Sequence, residues 1–242
     1  HFLGEPQGGA FASTQWSIVI AAGTAPSPDV DEALAALCQI YWPPLYTYAR
    51  SRGHSREEAE DLTQGFFCKF LERKDVGKAD PLRGKFRTYL LTAFQRYMAN
   101  EWDRIRAQKR GGDAMHISLD FEEAESHYVE QSIDQMAPER AFDRRWALQV
   151  LESVLHLLRS EYRQDGREIL FETPKPCLTG EPINETYAEI GNELGLSEGA
   201  VRTAVYRLRR RFKELLHRSV ADTVESPGQV RDEIRNLIVA LQ

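Results

Sequence analysis

The sequence predicts an all-α fold, with two helical domains joined by an acidic linker. Apolar residues recur at intervals of three and four along most of the chain, which is the period of an amphipathic helix. No segment shows a convincing strand alternation, and stretches rich in glycine or proline separate the periodic segments. With 42% hydrophobic and 28% charged residues, the 242-residue chain has the composition of a globular protein.

The first domain is predicted over residues 31–112, after a loose segment over residues 1–30. Its first helix begins near Asp31, and the Pro43-Pro44 pair is expected to kink or restart it. Ser55 is a good N-cap for a second helix, which continues to about Phe70. A polar loop over residues 77–84 then precedes a long basic helix over residues 85–109. Each of these helices has an apolar stripe. The first carries Leu34, Leu37, Cys38, Tyr41 and Leu45, and the second carries Ala59, Leu62, Phe66, Phe67 and Phe70. The third carries Phe86, Tyr89, Leu90, Phe94 and Met98.

An acidic stretch over residues 113–137 is interpreted as a linker, with partial order around residues 117–121. The second domain is predicted over residues 138–222. Pro138 suits the start of a long helix that ends near Arg163, and a short helix is expected over residues 167–171. The loop over residues 173–184 leads to the most informative segment of the chain.

Residues 186–216 are predicted to form two helices across a tight turn. Gly195 suits a left-handed turn residue, and Ser197 suits the N-cap of the second helix. Residues with apolar side chains recur on one side of that helix: Val201, Val205, Leu208, Phe212 and Leu215. The other side is basic and polar, with Arg202, Thr203, Tyr206, Arg207, Arg209, Arg210, Arg211 and Lys213. This pattern is typical of a helix-turn-helix that enters the DNA major groove. A helical hairpin with solvated arginines is the alternative.

Residues 223–242 are predicted as a C-terminal helical extension. Pro227 suits the helix start, and one face of the helix carries Val230, Ile234, Leu237, Ile238 and Leu241. The pattern leaves open whether this helix packs on the second domain, covers its DNA-binding face or binds another protein.

The charge of the chain is unevenly distributed. The net charge is −6, yet basic residues dominate residues 83–110 and 202–218, while acidic residues gather at residues 57–61 and 113–139. Two basic segments in an acidic chain suggest a protein that binds DNA poorly alone and docks on a larger partner.

Several function classes are disfavoured by the residue pattern. The three cysteines are scattered, the six histidines lack metal-ligand spacing, and no phosphate-binding loop or nucleophile elbow is present. We therefore predict no catalytic residues, no metal and no cofactor, which argues against an enzyme acting on nucleic acid. The N-terminal apolar run, Trp16 to Ala22, is too short to span a bilayer, so no membrane insertion and a cytoplasmic location are expected.

Three segments, in order, resemble the sigma-70 family of bacterial RNA polymerase initiation factors, specifically its small extracytoplasmic-function (ECF) type. Glu58–Leu71, EAEDLTQGFFCKFL, resembles the family's region 2.2. Phe86–Arg106, FRTYLLTAFQRYMANEWDRIR, is similar to the helix of regions 2.3 and 2.4, and Tyr187–Leu216 is similar to region 4.2. The resemblance implies a non-enzymatic subunit whose partners are the polymerase core (its β′ and β subunits) and promoter DNA. It also allows an anti-sigma factor as a partner.

The resemblance further implies three sets of site residues. Region 2.2 would bind polymerase through Glu58, Asp61, Gln64 and Lys69. Regions 2.3 and 2.4 would open the start-proximal (−10) element, with cations for phosphates and aromatic rings for unpaired bases, through Arg87, Arg96, Tyr97, Asn100, Arg104 and Arg106. Region 4 would read the upstream (−35) element through Glu198, Arg202, Thr203, Tyr206, Arg207, Arg209, Arg210 and Arg211.

Within region 4, Arg202, Thr203 and Arg207 are predicted at base edges or adjacent phosphates, and residues 209–211 at phosphates. Glu198 would either accept from a cytosine amine or favour the helix dipole. Gly191 replaces the family's usual alanine and is expected to loosen its helix. An alternative function is a free-standing helix-turn-helix regulator that binds duplex DNA as a dimer.

Overall fold

The computed structural model describes residues 28–72, 85–107, 121–130, 136–173, 178, 186–221, 224 and 227–242. Within these ranges the chain forms helices and no strand, which confirms the all-α prediction. The helices are α1 (Pro28–Ser51), α2 (Arg56–Glu72), α3 (Phe86–Ala107), α4 (Phe121–Glu130), α5 (Pro138–Gln164), α6 (Ile169–Glu172), α7 (Tyr187–Leu194), α8 (Glu198–Ala221) and α9 (Val230–Ala240), with a 3₁₀ turn at Pro227–Gln229. None of these helices is long and apolar enough to span a membrane.

Several sequence predictions fall outside the described residues. They concern the N-terminal residues 1–27, the loop over residues 77–84, the order at residues 117–120 and most of the loop over residues 173–184. The side chains of Arg104 and Arg106 also lie outside, although the backbone of α3 is described through Ala107.

The described residues divide between two compact units. Among the described residues, the first unit holds those from 28 to 149 together with those from 220 to 242, and the second holds those from 150 to 219. This division differs from the predicted boundaries at residues 138 and 223. The reason is that the start of α5 packs in the first unit, where Arg87 lies over the ring of Trp146 at 4.2 Å. The C-terminal helix α9 belongs to the first unit as well.

Helix α1 runs through its two internal prolines. The structure has one helix from Pro28 to Ser51, where the sequence predicted a kink or restart at Pro43 and Pro44. An internal proline costs about 3 kcal/mol or more. The neighbouring Tyr41, Leu45 and Tyr46 are almost completely buried, and each such burial contributes about 1.5–3 kcal/mol. Side-chain burial on both sides of the prolines therefore offsets their cost.

The first unit has an aromatic core between α2 and α3. The ring of Phe66 lies 5.1 Å from Phe94 and 5.7 Å from Tyr97, in edge-to-face geometry. Phe94 has no exposed surface and also contacts Tyr48 of α1, at 6.3 Å. These three helices are thus held together through Phe94.

Part of the predicted linker is a helix docked on the first unit. Helix α4 anchors to α1 because Glu125 accepts two hydrogen bonds from Arg50, at 2.9 and 2.8 Å. The ring of Phe121 lies 5.1 Å from that of Trp42. Burial alone would raise the pKa of Glu125, but the bonds from Arg50 and from the Tyr46 hydroxyl lower it overall. The carboxylate therefore stays charged and holds α4 in place.

The second unit has two apolar clusters. Val154, Leu158 and Phe171 pack with Leu208 and Leu215, which joins α5, α6 and α8. A second cluster, formed by Ile190, Val201 and Val205, joins α7 to α8. The apolar stripe predicted for α8 is therefore the buried side of that helix.

Helix α9 buries part of the predicted apolar face, together with Glu233, which the sequence did not place there. Val230, Glu233 and Leu237 are the buried residues, at spacings that place them on one side of the helix. Ile238, predicted on the apolar face, is 52% exposed. Val230 and Leu237 were predicted on the buried face, and Glu233 joins them because its carboxylate pairs with Lys85 and Arg87.

Candidate nucleic-acid interface

Local capping chemistry fixes the two helices α7 and α8 and the turn between them. The Thr186 hydroxyl accepts from the amide of Glu189 at 3.3 Å, and the Glu189 carboxylate accepts from the amide of Thr186 at 2.6 Å. Gly195 ends α7 with φ of 65°, and the Ser197 hydroxyl accepts from the amide of Ala200 at 3.2 Å. The predicted roles of Gly195 and Ser197 are confirmed.

Gly191 tightens this turn, contrary to the expectation that it loosens α7. Its amide oxygen accepts from the amide of Leu196 at 2.8 Å. A Cβ atom at residue 191 would lie 2.6 Å from the backbone oxygen of Leu196, which is closer than a Cβ atom comes to another heavy atom in real proteins. Glycine is therefore required by the close approach of the turn.

We expect Gly191→Ala to lower the free energy of unfolding of the second unit by about 1–3 kcal/mol, because overpacking against backbone outweighs the helix propensity of alanine. Gly199→Ala is the matched control, since nothing lies within 4 Å of a Cβ at that position. Thermal unfolding followed by far-ultraviolet circular dichroism would compare them. Equal or higher stability for Gly191→Ala would contradict the close packing.

The outer face of α8 presents most of the predicted DNA-binding side chains to solvent. Tyr206 is 66% exposed, a large value for an aromatic residue. The exposed members of the predicted set are Glu198, Arg202, Thr203, Tyr206, Arg207, Arg209 and Arg210. Because the apolar side of α8 is buried in the second unit, this polar side is the part of the helix that a ligand can reach.

Two arginines of this face form exposed ion pairs within α8. Arg202 contacts Glu198 at 2.8 Å, and Arg210 contacts Glu214 at 3.0 Å. Such pairs contribute about 0–1 kcal/mol, so a phosphate or a base edge can replace the carboxylate at little cost. The contact with Arg202 also gives Glu198 a role that its sequence position did not reveal.

Arg211 is placed differently from the other predicted phosphate contacts. It donates two hydrogen bonds to Glu161 of α5, at 2.8 and 2.6 Å, and a third to Glu214 at 3.2 Å. The hydrogen bonds to Glu161 raise the pKa of the Arg211 guanidinium above its ordinary value. Arg211 thus links α8 to α5 inside the second unit, a long-range pairing that sequence reasoning missed.

On α3, the predicted base-contacting residues separate into exposed and packed side chains. Arg96 and Asn100 are exposed, and their spacing of four residues places them on one face. Tyr97 is half-buried, with its ring stacked 6.5 Å from Phe94 and the Lys69 ammonium 5.0 Å above it. Lys69 also forms an ion pair with Glu101.

Arg87, unlike Arg96 and Asn100, is buried inside the first unit, so its side chain is covered in this structure. It is 8% exposed and contacts Asp143 at 2.9 Å and Glu233 at 3.1 Å. Its cationic group is covered because α5 and α9 both supply a carboxylate. Glu233 was not predicted as a functional residue. The sequence did carry a signal for Glu233: it is an acidic residue between Val230 and Leu237, on the apolar side of a predicted helix.

The predicted polymerase-binding residues lie along α2. Glu58 closes a capping box with Ser55: its carboxylate accepts from the Ser55 amide at 2.9 Å, and its own amide donates to the Ser55 hydroxyl at 3.2 Å. The bond from the Ser55 amide lowers the pKa of Glu58. Asp61 is exposed, while Gln64 and Lys69 are partly buried. Asp61 and Gln64, three residues apart, share one face of the helix.

Among the described residues, no group of three potential metal-ligating side chains comes together. Cys38 and Cys68 are both buried. Burial raises the pKa of Cys38 to about 12, so its thiol is not activated as a nucleophile.

Comparison with known families gives one match. Residues 37–110 match the family model of sigma-70 region 2, a range that includes α2 and most of α1 and ends just beyond α3. The match relates this segment to the sigma-70 family, whose members are non-enzymatic transcription initiation factors that bind RNA polymerase core and promoter DNA. No curated protein and no solved structure is significantly similar to the chain.

Proposed function

We propose that this chain is an RNA polymerase sigma factor of the ECF type, which directs the core enzyme to promoters and helps to open the DNA. The observation that carries the proposal is the match of residues 37–110 to sigma-70 region 2, in a chain that also exposes the cationic face of α8. The proposal assigns DNA one surface in each unit, and each surface suits a different state of DNA.

The surface on α8 suits duplex DNA. Residues 138–222 would act as region 4, with α7 and α8 as a helix-turn-helix and α8 in the major groove of the −35 element. In this proposal Arg202, Thr203 and Arg207 contact base edges, while Arg209 and Arg210 contact phosphates. Arg211 positions α8 through Glu161. An arginine paired with guanine through two hydrogen bonds discriminates against other bases by about 1–3 kcal/mol.

The surface on α3 suits the opened strand. Residues 31–112 would act as region 2, where the exposed Arg96 and Asn100 supply a cation and a hydrogen-bonding amide to the −10 element. Arg104 and Arg106, which follow in the sequence of α3, are the further phosphate contacts of this proposal. Stacking an unpaired base contributes about 1–3 kcal/mol, comparable to the cost of extracting it from the duplex. Tyr97 is the aromatic candidate for this role.

The α2 face with Glu58, Asp61, Gln64 and Lys69 is the proposed contact with the β′ subunit, and the second unit would face β. An anti-sigma factor is a further candidate partner, and a cytoplasmic location follows from the proposed role. The net charge of −6 fits this assignment, because it repels DNA until the core enzyme contributes its own binding surface.

Binding measurements with and without polymerase core test the proposal. We expect the chain to bind core and, alone, to bind duplex DNA weakly, with affinity increasing when core is present. A labelled duplex library and gel filtration with bacterial core enzyme would show both. Tight, salt-dependent binding of duplex DNA by a dimer of the chain, with no association with core, would instead indicate a free-standing regulator.

A further inference from the structure

Helix α9 places a buried carboxylate at the beginning of the basic helix α3. Glu233 is 1% exposed, and its side chain forms ion pairs with Lys85 and with Arg87, the latter at 3.1 Å. The amide of Asn236 donates to the same carboxylate at 3.2 Å. Val230 and Leu237, each 1% exposed, flank it on the docked side of α9.

This arrangement satisfies the charges on both sides. A buried carboxylate without partners is strongly unfavourable, and here two cations compensate it. The same contacts cover the cations: the side chain of Arg87 is 10% exposed and that of Lys85 is 35% exposed. While α9 is docked, a DNA phosphate cannot reach the side of Arg87 that faces Glu233.

The covered cations lie in the segment that matches sigma-70 region 2, whereas α9 lies far outside it. Among the described residues of α9, only Val230, Glu233 and Leu237 are buried. The aromatic core around Phe66 and Phe94 holds α2 and α3 independently of these three side chains. Release of α9 would therefore expose Lys85 and Arg87 without dismantling that core.

We propose that α9 is an internal competitor of DNA, in which Glu233 occupies two cations that bind backbone phosphates once the helix is released. The proposal deepens the proposed function, because it takes DNA as the ligand of α3. Glu233 is the charge equivalent of a phosphate at this position. Asp143 on α5 contacts Arg87 at 2.9 Å and would keep it oriented after release.

The first test compares Glu233→Gln with Asp232→Asn in the full-length chain, using a fluorescein-labelled mixed-sequence duplex and no polymerase. Both variants lose one negative charge from α9, but Asp232 is exposed and pairs only with Arg235, at 3.2 Å, among the ion pairs described. Each phosphate neutralised steepens the dependence of log K on log salt concentration by about 0.9. We expect Glu233→Gln to steepen this slope by about 0.9–1.8 relative to Asp232→Asn, and to bind more tightly. Equal slopes would overturn the proposal.

A double variant assigns the effect to the covered cations. Adding Lys85→Gln to Glu233→Gln is expected to reduce the gain in slope by about 0.9, because one freed cation is lost. An unchanged gain would show that the extra binding arises elsewhere in the chain.

The second test uses the unaltered chain and remains decisive if Glu233→Gln does not fold. Amide hydrogen exchange of residues 230–240 is measured with and without saturating duplex. We expect faster exchange in the DNA-bound chain, because DNA displaces α9. Unchanged or greater protection of these amides in the complex would overturn the proposal. Neither test involves polymerase core or transcription initiation. A failure of the sigma-factor assignment would appear instead in the binding measurements with core enzyme.

Discussion

The double variant Arg202→Ala with Arg207→Ala is expected to lower promoter-directed transcription by at least about thirtyfold. Each arginine that pairs with a base contributes about 1–3 kcal/mol, and a loss of about 2 kcal/mol corresponds to that factor. Both side chains are exposed on α8, and the only partner described for Arg202 is the weak contact with Glu198. Because both side chains are exposed to solvent, we expect the substitutions to leave the packing of α8 intact. Multiple-round transcription with reconstituted holoenzyme would measure the effect.

The matched control is Arg163→Ala with Arg167→Ala, which removes the same charge from the same unit. These arginines are exposed and form surface ion pairs with Glu168 and Asp165. We expect transcription to stay within about twofold of the unaltered chain, because surface pairs contribute about 0–1 kcal/mol. Core binding should survive in both double variants. Equal losses in the two would mean that net charge, rather than base recognition by α8, determines activity.

The largest expected loss of stability follows from Phe94→Ala. Phe94 is fully buried and contacts Tyr48, Phe66 and Tyr97, so its removal leaves a cavity between α1, α2 and α3. Truncation of a buried phenylalanine costs about 3–5 kcal/mol. All four tryptophans of the chain lie within residues 16–146, so denaturant unfolding followed by tryptophan fluorescence reports on the first unit.

Thr88→Ala is the control for Phe94→Ala, since Thr88 is an exposed residue of the same helix. We expect a change within about 0.5 kcal/mol for this substitution. If Phe94→Ala changed stability no more than Thr88→Ala, the aromatic core would not hold α2 and α3 together. The docking of α9 on α3 would then lack a rigid platform.

Local chemistry made part of the interface predictable. A glycine at a left-handed position and a serine at an N-cap act within a few residues, so Gly195 and Ser197 could be recognised from the sequence. The buried side of α8 was equally accessible, because its spacing is the period of a helix. The exposure of Arg202 and Arg207 follows directly from that same period.

Long-range pairing was not predictable in this way. Arg87 and Glu233 are separated by most of the chain, and no local pattern relates them. Arg211 looked equivalent to Arg209 and Arg210, yet Glu161 on another helix removes it from the exposed set. Helix α4 was missed because its acidic composition suggested a linker, whereas Glu125 is anchored by Arg50 of α1. In each case the sequence predicted a solvent-exposed charged residue, whereas the structure pairs that residue with a partner that is distant in the sequence.

The most direct test of the sigma-factor assignment is selection of DNA by the reconstituted holoenzyme, followed by sequencing of the bound library. We predict two separated sequence blocks, retained only when core enzyme is present. The Arg202→Ala, Arg207→Ala variant should lose the upstream block and keep the one near the start site. Recovery of a single palindromic block by the chain without core would contradict the account.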